Sequence, residues 1–451
     1  MIQESRIRRL NDGPVRPGDY VLYWMQQSQR VEYNHALEYA VDRANELGLP
    51  LVVFFGITAS FPGANARSLT FMLEGLRGTR ETLARRGIGF TARLASPERG
   101  VVELGARAAM VVTDRGYLRI QKEWRAEAAR RLPCLLVQVE SDVVVPVESA
   151  SPKEEYSAGT FRPKITRLLH AYLVPLAKRR LRRPSPTAAP PGEDCDDIPG
   201  MIRRLRADVS VPAVASIRGG TIEAERKLAR FIKEKLDRFD QLRNDPGEEC
   251  LSGMAPYLHF GQVAPLRVAL AVLESGSPGR DRYLEELVVR RELAMNFVHY
   301  NERYDSYESL PEWARGTLAK HLRDRRPQVY TKMELEGAAT GDRYWNAAQK
   351  EMAHTGKMHG YMRMYWGKKI LEWSSDPAEA FKTALYLNNK YELDGRDPNA
   401  FAGIAWCFGK HDRPWSERAV FGNVRYMNDK GLKRKFDADK YAKKFISQKG
   451  L

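Results

Sequence analysis

Two tryptophans and an arginine on one predicted helix are the first candidates for chemistry. Residues 355 to 373, TGKMHGYMRMYWGKKILEW, have a helical pattern in which Trp366 and Trp373 lie seven positions apart. Two turns, or about 10.5 Å of rise, separate them along one face. Such a stripe is typical of a packed core. Arg363 lies three positions before Trp366 and indicates a site, because a guanidinium among apolar residues needs an anionic or aromatic partner.

A cluster of polar residues lies in the next stretch, residues 387 to 415. Glycine and proline punctuate it, which predicts a loop between helices, and turn and capping chemistry would explain its amides and carboxylates. The alternative is a site for a polar heterocycle beside a stacked base, because Trp406 and Trp415 follow. The cluster comprises Asn388, Asn389, Asp394, Arg396, Asp397 and Asn399.

A third stretch, residues 243 to 262, reads RNDPGEECLSGMAPYLHFGQ and places small residues before a proline. Ser252, Gly253 and Ala255 precede Pro256, so a phosphate-bearing ligand can come close to the backbone. Free amides at the start of a helix attract anions. The pattern therefore predicts an anion-binding turn.

The sequence lacks the motifs that metal binding and nucleophilic catalysis need. His354 and His359 are five positions apart, which places them on different faces of a helix, and neither a cysteine nor HExxH completes a ligand set with His411. There is no GxSxG elbow, and Cys407 shows no sign of activation. We therefore expect no metal site and no hydrolase mechanism.

The elements that must position these residues fall into two parts. Residues 1 to 150 alternate helical patterns with apolar runs that are nearly continuous in Val, Leu and Phe, which predicts a Rossmann-like α/β domain with a parallel sheet and helices on both faces. It contains neither GxGxxG nor GxxxxGK[ST]. Residues 151 to 220 predict an inter-domain linker, Pro-rich and on the surface at 179 to 197. Residues 221 to 451 show long helical periodicity and predict an all-α domain.

The composition limits the kinds of partner and cellular location that we expect for the protein. The chain has 451 residues, with 73 Lys+Arg against 57 Asp+Glu, so its formal charge is +16. This charge favours a polyanionic partner, although dispersed surface charge is an alternative. The longest apolar stretch, residues 49 to 57, is shorter than the roughly 20 residues of a membrane-spanning helix. With no signal peptide visible and four scattered cysteines, we expect a cytoplasmic protein, nucleoid-associated if prokaryotic. We also expect it to be a monomer.

Taken together and in this order, the three stretches resemble the photolyase and cryptochrome family, specifically the class II cyclobutane pyrimidine dimer (CPD) photolyases. The resemblance covers nearly the whole chain, from VLYWMQQSQRVEYNHALEYA at residues 21 to 40 to YELDGRDPNAFAGIAW at 391 to 406. It implies an α/β domain, a helical domain that holds FAD in a folded conformation, and light-driven repair of dimers in double-stranded DNA. The sequence leaves open whether the α/β domain also holds a light-harvesting antenna chromophore.

The resemblance also assigns residues to FAD. It implies that the segment from Ser252 to Ala255 wraps the FAD phosphates and that Arg363 and Asp394 pair over the flavin ring. It places Asn388 near flavin N5, where its side chain can hydrogen-bond a flavin whose protonation changes with redox state. The implied cofactor residues are Phe239, Ser252, Gly253, Met254, Ala255, Asn296, Lys357, His359, Arg363, Asn388, Asp394, Gly395 and Arg396.

For the reaction, the resemblance implies that excited reduced FAD passes an electron to a flipped-out dimer. Such chemistry needs no nucleophile, metal or hydrolytic base, which accounts for the missing motifs. We also expect Glu286 to hydrogen-bond the dimer and steady it once it holds the electron. The implied electron-transfer residues are Trp366, Trp345 and Trp373, from flavin to solvent. The implied DNA-binding residues are Arg243, Asn244, Glu286, Met364 and Trp406 around the dimer, and Trp415 and Arg425 at the opened duplex.

The chain departs from the family pattern at a few positions. Phe239 stands where the family commonly has Tyr, and Gly253 and Ala255 stand where Asn and Ser are common. These changes remove side-chain donors near the phosphates, so backbone amides would carry more of the binding. Arg290 stands where some members have Trp, which alters one wall of the lesion pocket.

Two alternative functions compete with repair. A cryptochrome-like blue-light photoreceptor would use the same flavin and tryptophans without repairing DNA, but the retained lesion-pocket residues favour repair. A purely structural nucleic-acid-binding protein would account for the charge, but not for the polar loop and the tryptophan pattern.

Overall fold

The N-terminal part of the computed structural model, which describes residues 2–184, 187 and 189–446, is built on a sheet. Its strands are β1 (Ile7–Arg9), β2 (Tyr20–Met25), β3 (Leu51–Ile57), β4 (Gly89–Leu94), β5 (Ala108–Asp114) and β6 (Leu135–Val139). Their order is β1-β6-β5-β2-β3-β4, with β1 antiparallel to β6 and the other pairs parallel. Because this order reverses beside β2, a crevice is expected at the carboxyl ends of the strands there.

Helices cover both faces of this sheet. They are α1 (His35–Leu47), α2 (Ala66–Arg85), α3 (Pro97–Gly105) and α4 (Arg119–Arg131). The short helix α5 (Val147–Ala150) follows the sheet and packs with α14. Alternate residues of β2 enter two cores: Val21 and Tyr23 pack with residues of α1 and α2, and Leu22 and Trp24 pack with residues of α3 and α4. A strand buried on both faces reads as a continuous apolar run, so the predicted Rossmann-like fold is confirmed.

One edge of the sheet was not predicted. β1 has only three residues, and its sequence, Ile-Arg-Arg, shows no apolar alternation. Arg6, directly before it, is buried and donates hydrogen bonds to the carbonyl oxygens of Glu140, Val143 and Val144 at 3.2, 3.3 and 2.6 Å. This edge therefore depends on distant carbonyls, which no local pattern reveals.

The expected linker is more structured than its composition indicates. Residues 151–220 contain α6 (Ala158–Thr166), α7 (Leu169–Tyr172) and α8 (Ile198–Arg204). In the Pro-rich stretch, Leu181 and Cys195 are buried and enter the core of the sheet domain. The Glu193 N–H donates to the Ala92 carbonyl at the edge strand β4, at 2.7 Å. Single apolar side chains can thus anchor a segment that has no periodicity of its own.

The rest of the chain is helical, as predicted. Its helices are α9 (Thr221–Glu234), α10 (Phe239–Leu242), α11 (Ala255–His259), α12 (Pro265–Glu274), α13 (Arg280–Leu284), α14 (Arg291–Tyr300), α15 (Glu312–Lys320), α16 (Lys332–Glu336), α17 (Arg343–Thr355), α18 (Gly360–Trp373), α19 (Pro377–Tyr391), α20 (Pro398–Cys407), α21 (Asp429–Lys435) and α22 (Ala438–Ile446), with a π-helical turn at Glu285–Arg290. Within the described residues, no helix is long and apolar enough to cross a membrane.

The two parts pack through shared cores and one buried carboxylate. Tyr117 and Val143 from the sheet domain belong to the same core as Trp345 of α17. Glu292 of α14 accepts hydrogen bonds from the N–H groups of Val144 and Val145, at 2.5 and 3.1 Å. The helical part is therefore held against the loop after β6 by both apolar and polar contacts.

Candidate cofactor and DNA site

Four charged side chains form a buried cluster between α18 and α19, which we call the charged quartet. Lys357 and Arg363 lie before and within the start of α18, and Glu392 and Asp394 follow the end of α19. The Lys357 Nζ lies 2.9 and 2.8 Å from the two carboxylate oxygens of Asp394. The Arg363 Nη2 lies 2.9 Å from Glu392 Oε1 and 3.9 Å from Asp394 Oδ2. Two cations thus face two carboxyl groups.

The quartet gives Arg363 a different main partner from the expected one. The family resemblance implies that Arg363 pairs with Asp394, but Glu392 is closer to Arg363, and Lys357 is the closer partner of Asp394. Burial raises the pKa of Glu392 to about 7 although Arg363 and Lys357 oppose this. For Asp394, the two cations outweigh burial and hold its pKa well below the usual range. Glu392 was missed, although it lies only two positions from Asp394.

Several buried polar atoms around the quartet have no hydrogen-bond partner in the described part of the chain. The Nδ1 of His359 accepts from the Tyr361 N–H at 3.1 Å, so the ring proton belongs on Nε2. Asn388 donates from Nδ2 to Asn389 Oδ1 at 3.3 Å, which leaves its Oδ1 as an acceptor. Leaving such an atom buried and unpaired costs about 1–3 kcal/mol. The unpaired atoms are His359 Nε2, Arg363 Nε, Asn388 Oδ1 and Glu392 Oε2.

This set of donors and acceptors fits a polar heterocycle such as the flavin ring of FAD. Burial, with Lys357 and Arg363 nearby, lowers the pKa of His359 to about 4, so the imidazole is neutral at pH 7 and donates from Nε2. His359 and Arg363 then offer donors, and Asn388 and Glu392 offer acceptors. A metal ion has no comparable site, since the described residues contain no group of three or more His, Cys, Asp or Glu side chains arranged to bind one.

The predicted phosphate turn lies at the start of α11. Gly253 has φ +68°, the left-handed conformation that glycine adopts without strain, and nothing lies within 4 Å of where a Cβ would be. The Ser252 Oγ accepts from the Met254 N–H at 3.3 Å and lies 3.1 Å from the Tyr283 hydroxyl oxygen. Phe239 is buried with its ring centroid 5.2 Å from that of Tyr283. Tyr283 was missed because 31 residues separate it from Ser252.

Unlike Gly253, Gly395 lies where the surrounding backbone leaves no room for a side chain. A Cβ there would lie 2.9 Å from both the Asn388 carbonyl oxygen and the Asn389 Cα, and 3.0 Å from the Glu392 carbonyl oxygen. Only glycine therefore lets the loop after α19 fold back tightly enough to bring Asp394 to Lys357.

Two predicted cofactor residues bond elsewhere. Asn296 is fully buried, and its amide accepts from the Glu155 N–H at 2.8 Å and donates to the Lys153 carbonyl at 2.9 Å. Both of its polar atoms thus hold the segment before α6. The Arg396 guanidinium donates to the carbonyl oxygens of Asn389 and Gly63. It joins the loop after α19 to the sheet domain.

The three predicted electron-transfer tryptophans form a continuous series of rings. The Trp366 and Trp345 rings are nearly parallel, at 7°, with centroids 6.2 Å apart, and Trp345 and Trp373 meet edge to face at 5.6 Å. Trp366 and Trp345 are fully buried, whereas Trp373 is 5 % exposed and contacts the half-buried Tyr330, with ring centroids 5.0 Å apart. Trp345 of α17 therefore bridges the two tryptophans that lie seven positions apart on α18.

The predicted lesion residues Arg243, Asn244 and Glu286 lie together near the phosphate turn. The Arg243 Nη1 donates to Asn244 Oδ1 at 3.1 Å and lies 3.8 Å from Glu286 Oε1. Arg282, which the sequence analysis missed, lies 3.4 Å from the same oxygen. Glu286 is on the π-helical turn, a geometry common at functional sites. Its side chain is 38 % exposed, so an incoming ligand can reach it.

The other predicted DNA-contacting residues lie on or after α18. Met364 and Trp406 are half-buried. Trp415 is 40 % exposed and lies between two guanidinium groups, with the Arg413 and Arg425 Cζ atoms 5.3 and 4.9 Å from its ring centroid. An exposed aromatic ring flanked by two cations suits contact with an unstacked base and its phosphates.

The fold is that of photolyases. A class III photolyase from Agrobacterium tumefaciens superimposes with a TM-score of 0.73 at 19 % identity, over 95 % of this chain and 86 % of that one. An archaeal photolyase from Sulfolobus tokodaii, solved with two FAD molecules, gives a TM-score of 0.71 at 14 % identity, over 95 % and 90 % of the two chains. At these identities the likeness establishes the architecture alone.

Sequence similarity then identifies the family. A family model described as DNA photolyase matches residues 21–187. The deoxyribodipyrimidine photo-lyase of Methanothermobacter thermautotrophicus is 56 % identical over 443 residues, which is 98 % of each chain. This chain belongs to the DNA photolyase family.

The close packing at Gly395 leads to a stability prediction. We expect Gly395→Ala to lower the free energy of unfolding by about 1–3 kcal/mol, because the new Cβ overlaps backbone atoms that cannot move independently. Gly403→Ala in α20 is the control: nothing lies within 4 Å of a Cβ there, and alanine favours a helix by up to about 1 kcal/mol. Thermal unfolding of both variants measures the difference, and equal midpoints would show that the loop can relax.

Proposed function

We propose that this protein repairs cyclobutane pyrimidine dimers in DNA by light-driven electron transfer from bound, reduced FAD. The observation that carries the proposal is the set of four unpaired buried atoms beside the charged quartet, one helical turn from the tryptophan series. Membership of the DNA photolyase family supports it, and the curated relatives bear the name deoxyribodipyrimidine photo-lyase. None of these comparisons favours a cryptochrome-like photoreceptor.

FAD, when bound and reduced, supplies on excitation the electron that opens the cyclobutane ring. The protein would then bind and orient FAD and exclude water from the site. Arg363 and Asp394 would hold the flavin ring, with Lys357 and His359 at its polar edge. The Asn388 Oδ1 is left free to accept a hydrogen bond. An acceptor at this position favours a flavin that carries a proton on N5, which is the reduced state that repair needs.

The phosphates of FAD would lie against the turn from Ser252 to Ala255. Because Phe239 lacks a hydroxyl, the nearest phenol is that of Tyr283, 3.1 Å from the Ser252 Oγ. Tyr283 would position the Ser252 hydroxyl to donate to a phosphate oxygen. Gly253 adds an exposed backbone amide with no side chain to block it.

The dimer would enter next to Arg243, Asn244 and Glu286, with Met364 and Trp406 as apolar walls. Extruding a dimer costs less than extruding an intact pair, because the damaged bases already stack poorly. The exposed Trp415 between Arg413 and Arg425 would contact the opened duplex. Part of the +16 charge then serves DNA phosphates, which makes binding salt-dependent.

The tryptophan series would carry electrons from the surface to the cofactor site. The successive ring contacts between Trp373, Trp345 and Trp366 lead inward. Both buried indoles are held by hydrogen bonds, from Trp345 Nε1 to the Trp366 carbonyl and from Trp366 Nε1 to Gln349 Oε1, each 3.0 Å. These bonds fix the ring separations on which electron transfer depends.

The first test of this function is a repair assay. The protein, loaded with FAD and reduced, is incubated with oligonucleotides that contain either a cyclobutane dimer or a (6-4) photoproduct, in light and in darkness. We expect light-dependent loss of the cyclobutane dimer only. Unchanged dimer in light, with FAD bound and reduced, would favour the photoreceptor alternative.

The tryptophan series gives a second test. We expect Trp345→Phe to block reduction of bound FAD by light and a thiol, because it breaks the series in the middle. Repair by chemically reduced enzyme should remain nearly unchanged. Trp313→Phe is the matched control, since Trp313 bonds to Tyr156 outside the series. If Trp345→Phe photoreduces at the control rate, the series is not the route.

We also propose that a cavity in the sheet domain binds a second, light-harvesting chromophore. The cavity lies beside the carboxyl ends of β2 and β3, next to the point between β2 and β5 where the strand order reverses. Trp124 and Phe61 give it aromatic walls. Gln26 and Gln29 line it and are 8 % and 6 % exposed, and Gln26 Nε2 and Gln29 Oε1 have no partner in the described chain. A planar heterocycle with an amide-like edge would satisfy this donor and this acceptor.

Binding stoichiometry tests this cavity. Titrating the purified chain with FAD as a probe should give more than one equivalent bound per chain, unless a tightly held chromophore already occupies the cavity and is released by acid extraction. Gln26→Leu should weaken the second equivalent and leave the first intact. One equivalent in both proteins, with nothing released, would refute the antenna site.

A further inference from the structure

In the proposed function, Glu392 of the charged quartet serves only as a buried hydrogen-bond acceptor. Its side chain is fully buried, whereas those of Asp394, Arg363 and Lys357 are 10, 14 and 25 % exposed. Its Oε1 accepts from the Met358 N–H at 3.0 Å and from Arg363 at 2.9 Å. Its Oε2 has no hydrogen-bond partner among the residues that the structure describes and lies 3.6 Å from Lys357 Nζ. One oxygen of Glu392 is thus held, and the other is free to carry a proton.

The charges of the quartet balance only while Glu392 is ionised. Lys357 and Arg363 contribute two positive charges, and Asp394 and Glu392 contribute two negative ones. A further negative charge placed beside them would be uncompensated in a buried site, which is costly. A carboxyl group that binds a proton removes this excess negative charge. The carboxyl group whose ionised form is least stabilised by its surroundings binds the proton most readily. Asp394 has both oxygens bonded to Lys357, so Glu392 is the group that takes the proton.

The surroundings of Glu392 already place it near this transition. Burial raises its pKa to about 7, the nearby Asp394 carboxylate adds to the rise, and Arg363 and Lys357 oppose it. Three further groups lie near it on other elements: Tyr441 of α22, whose pKa the Glu392 charge helps to raise, Arg67 of α2, and Glu351 of α17. Burial raises the pKa of Glu351, but its Oε2 accepts hydrogen bonds from the His359 N–H and the Tyr441 hydroxyl, which stabilise its ionised form. Carboxyl groups that share a site commonly leave one of the two protonated.

We propose that Glu392 is the charge-compensating proton acceptor of the flavin site: it is ionised beside the neutral, oxidised flavin ring of FAD and binds one proton when that ring becomes anionic on reduction. This inference rests on FAD occupying the site next to the quartet. The electron pair comes from the external reductant, and the proton comes from water, which reaches the quartet through the partly exposed Lys357. Glu392 balances the charge of the site by binding this proton, and it transfers no electron.

The consequence is a change in how flavin reduction depends on pH. Above pH 7, Glu392 is ionised beside oxidised FAD, so reduction takes up one proton more than the flavin alone requires. Well below pH 7, Glu392 is already protonated and the extra uptake disappears. Because one more proton is taken up, each unit rise in pH lowers the ratio of reduced to oxidised flavin by a further factor of about ten, at a fixed reductant potential.

Redox titration of the FAD-loaded protein between pH 5 and pH 9 tests the inference. We expect the slope of the flavin reduction potential against pH to steepen above about pH 7 in the wild type. In Glu392→Gln this slope should keep its shallow value over the whole range. Asp394→Asn should move the break to lower pH, because it removes the neighbouring negative charge. Glu336→Gln, at a carboxyl group paired with Lys390 outside the quartet, should behave like the wild type. A wild-type titration without a break, or a break that persists in Glu392→Gln, would overturn the inference.

A second measurement covers the case in which Glu392→Gln does not retain FAD. Infrared difference spectra of the wild-type holoprotein, recorded on reduction at pH 8, should show a new carbonyl band from a protonated carboxyl group. Carbon-13 labelling of glutamate carboxyl groups should shift that band. An unshifted band, or none, contradicts the role of Glu392 while leaving the repair function intact. Failure of the wild-type chain to bind FAD would instead contradict the proposed function.

Discussion

The structure of the site depends on one constraint: two cations and two carboxyl groups must be buried together between α18 and α19. Separately, each charge would be expensive to bury. The tight backbone at Gly395 brings Asp394 to Lys357, and the Glu392 Oε1 accepts from both Arg363 and a backbone amide. The result is a polar site with a fixed charge pattern inside an otherwise apolar helical core. Under the proposed function, such a site would hold a planar cofactor away from water while it transfers an electron.

The packing of the two parts of the chain supports this site from behind. Arg67 of α2 donates hydrogen bonds to the carbonyl oxygens of Tyr391 and Ala353, next to the loops that carry the quartet. Arg396 bonds to the Gly63 carbonyl in the sheet domain. These contacts tie the ends of α17 and α19 to the sheet domain. The loop geometry on which the quartet depends is therefore set partly by a domain that contributes no residue to the quartet.

The sequence predicted those features that repeat locally or occur in long motifs. The continuous apolar run of β2 shows its double burial directly, and the Arg363 and Asp394 motifs were recognised as a charged site. Glu392 was missed because a single carboxyl group within a loop has no period to mark it. Tyr283 was missed because it approaches Ser252, 31 residues away, through the folding of α13. β1 was missed because three residues are too few to show alternation. For Glu392, Tyr283 and β1 the missing information was a contact between distant segments, whereas Arg282 meets Glu286 only four positions away and could have been found from its helical spacing.

In the tryptophan series, the proposed electron transfer and the stability of the core place compatible demands on the same residues. Trp345 and Trp366 are among the largest fully buried side chains of the helical core. Close packing holds the rings at fixed separations, and each indole N–H has a partner, so neither ring pays the cost of an unsatisfied donor. A core packed for stability thus also fixes the distances on which the proposed electron transfer would depend. The aromatic stripe on α18 is part of a packed core, and this packing is compatible with the proposed electron-transfer route, so the two interpretations of the sequence pattern do not exclude each other.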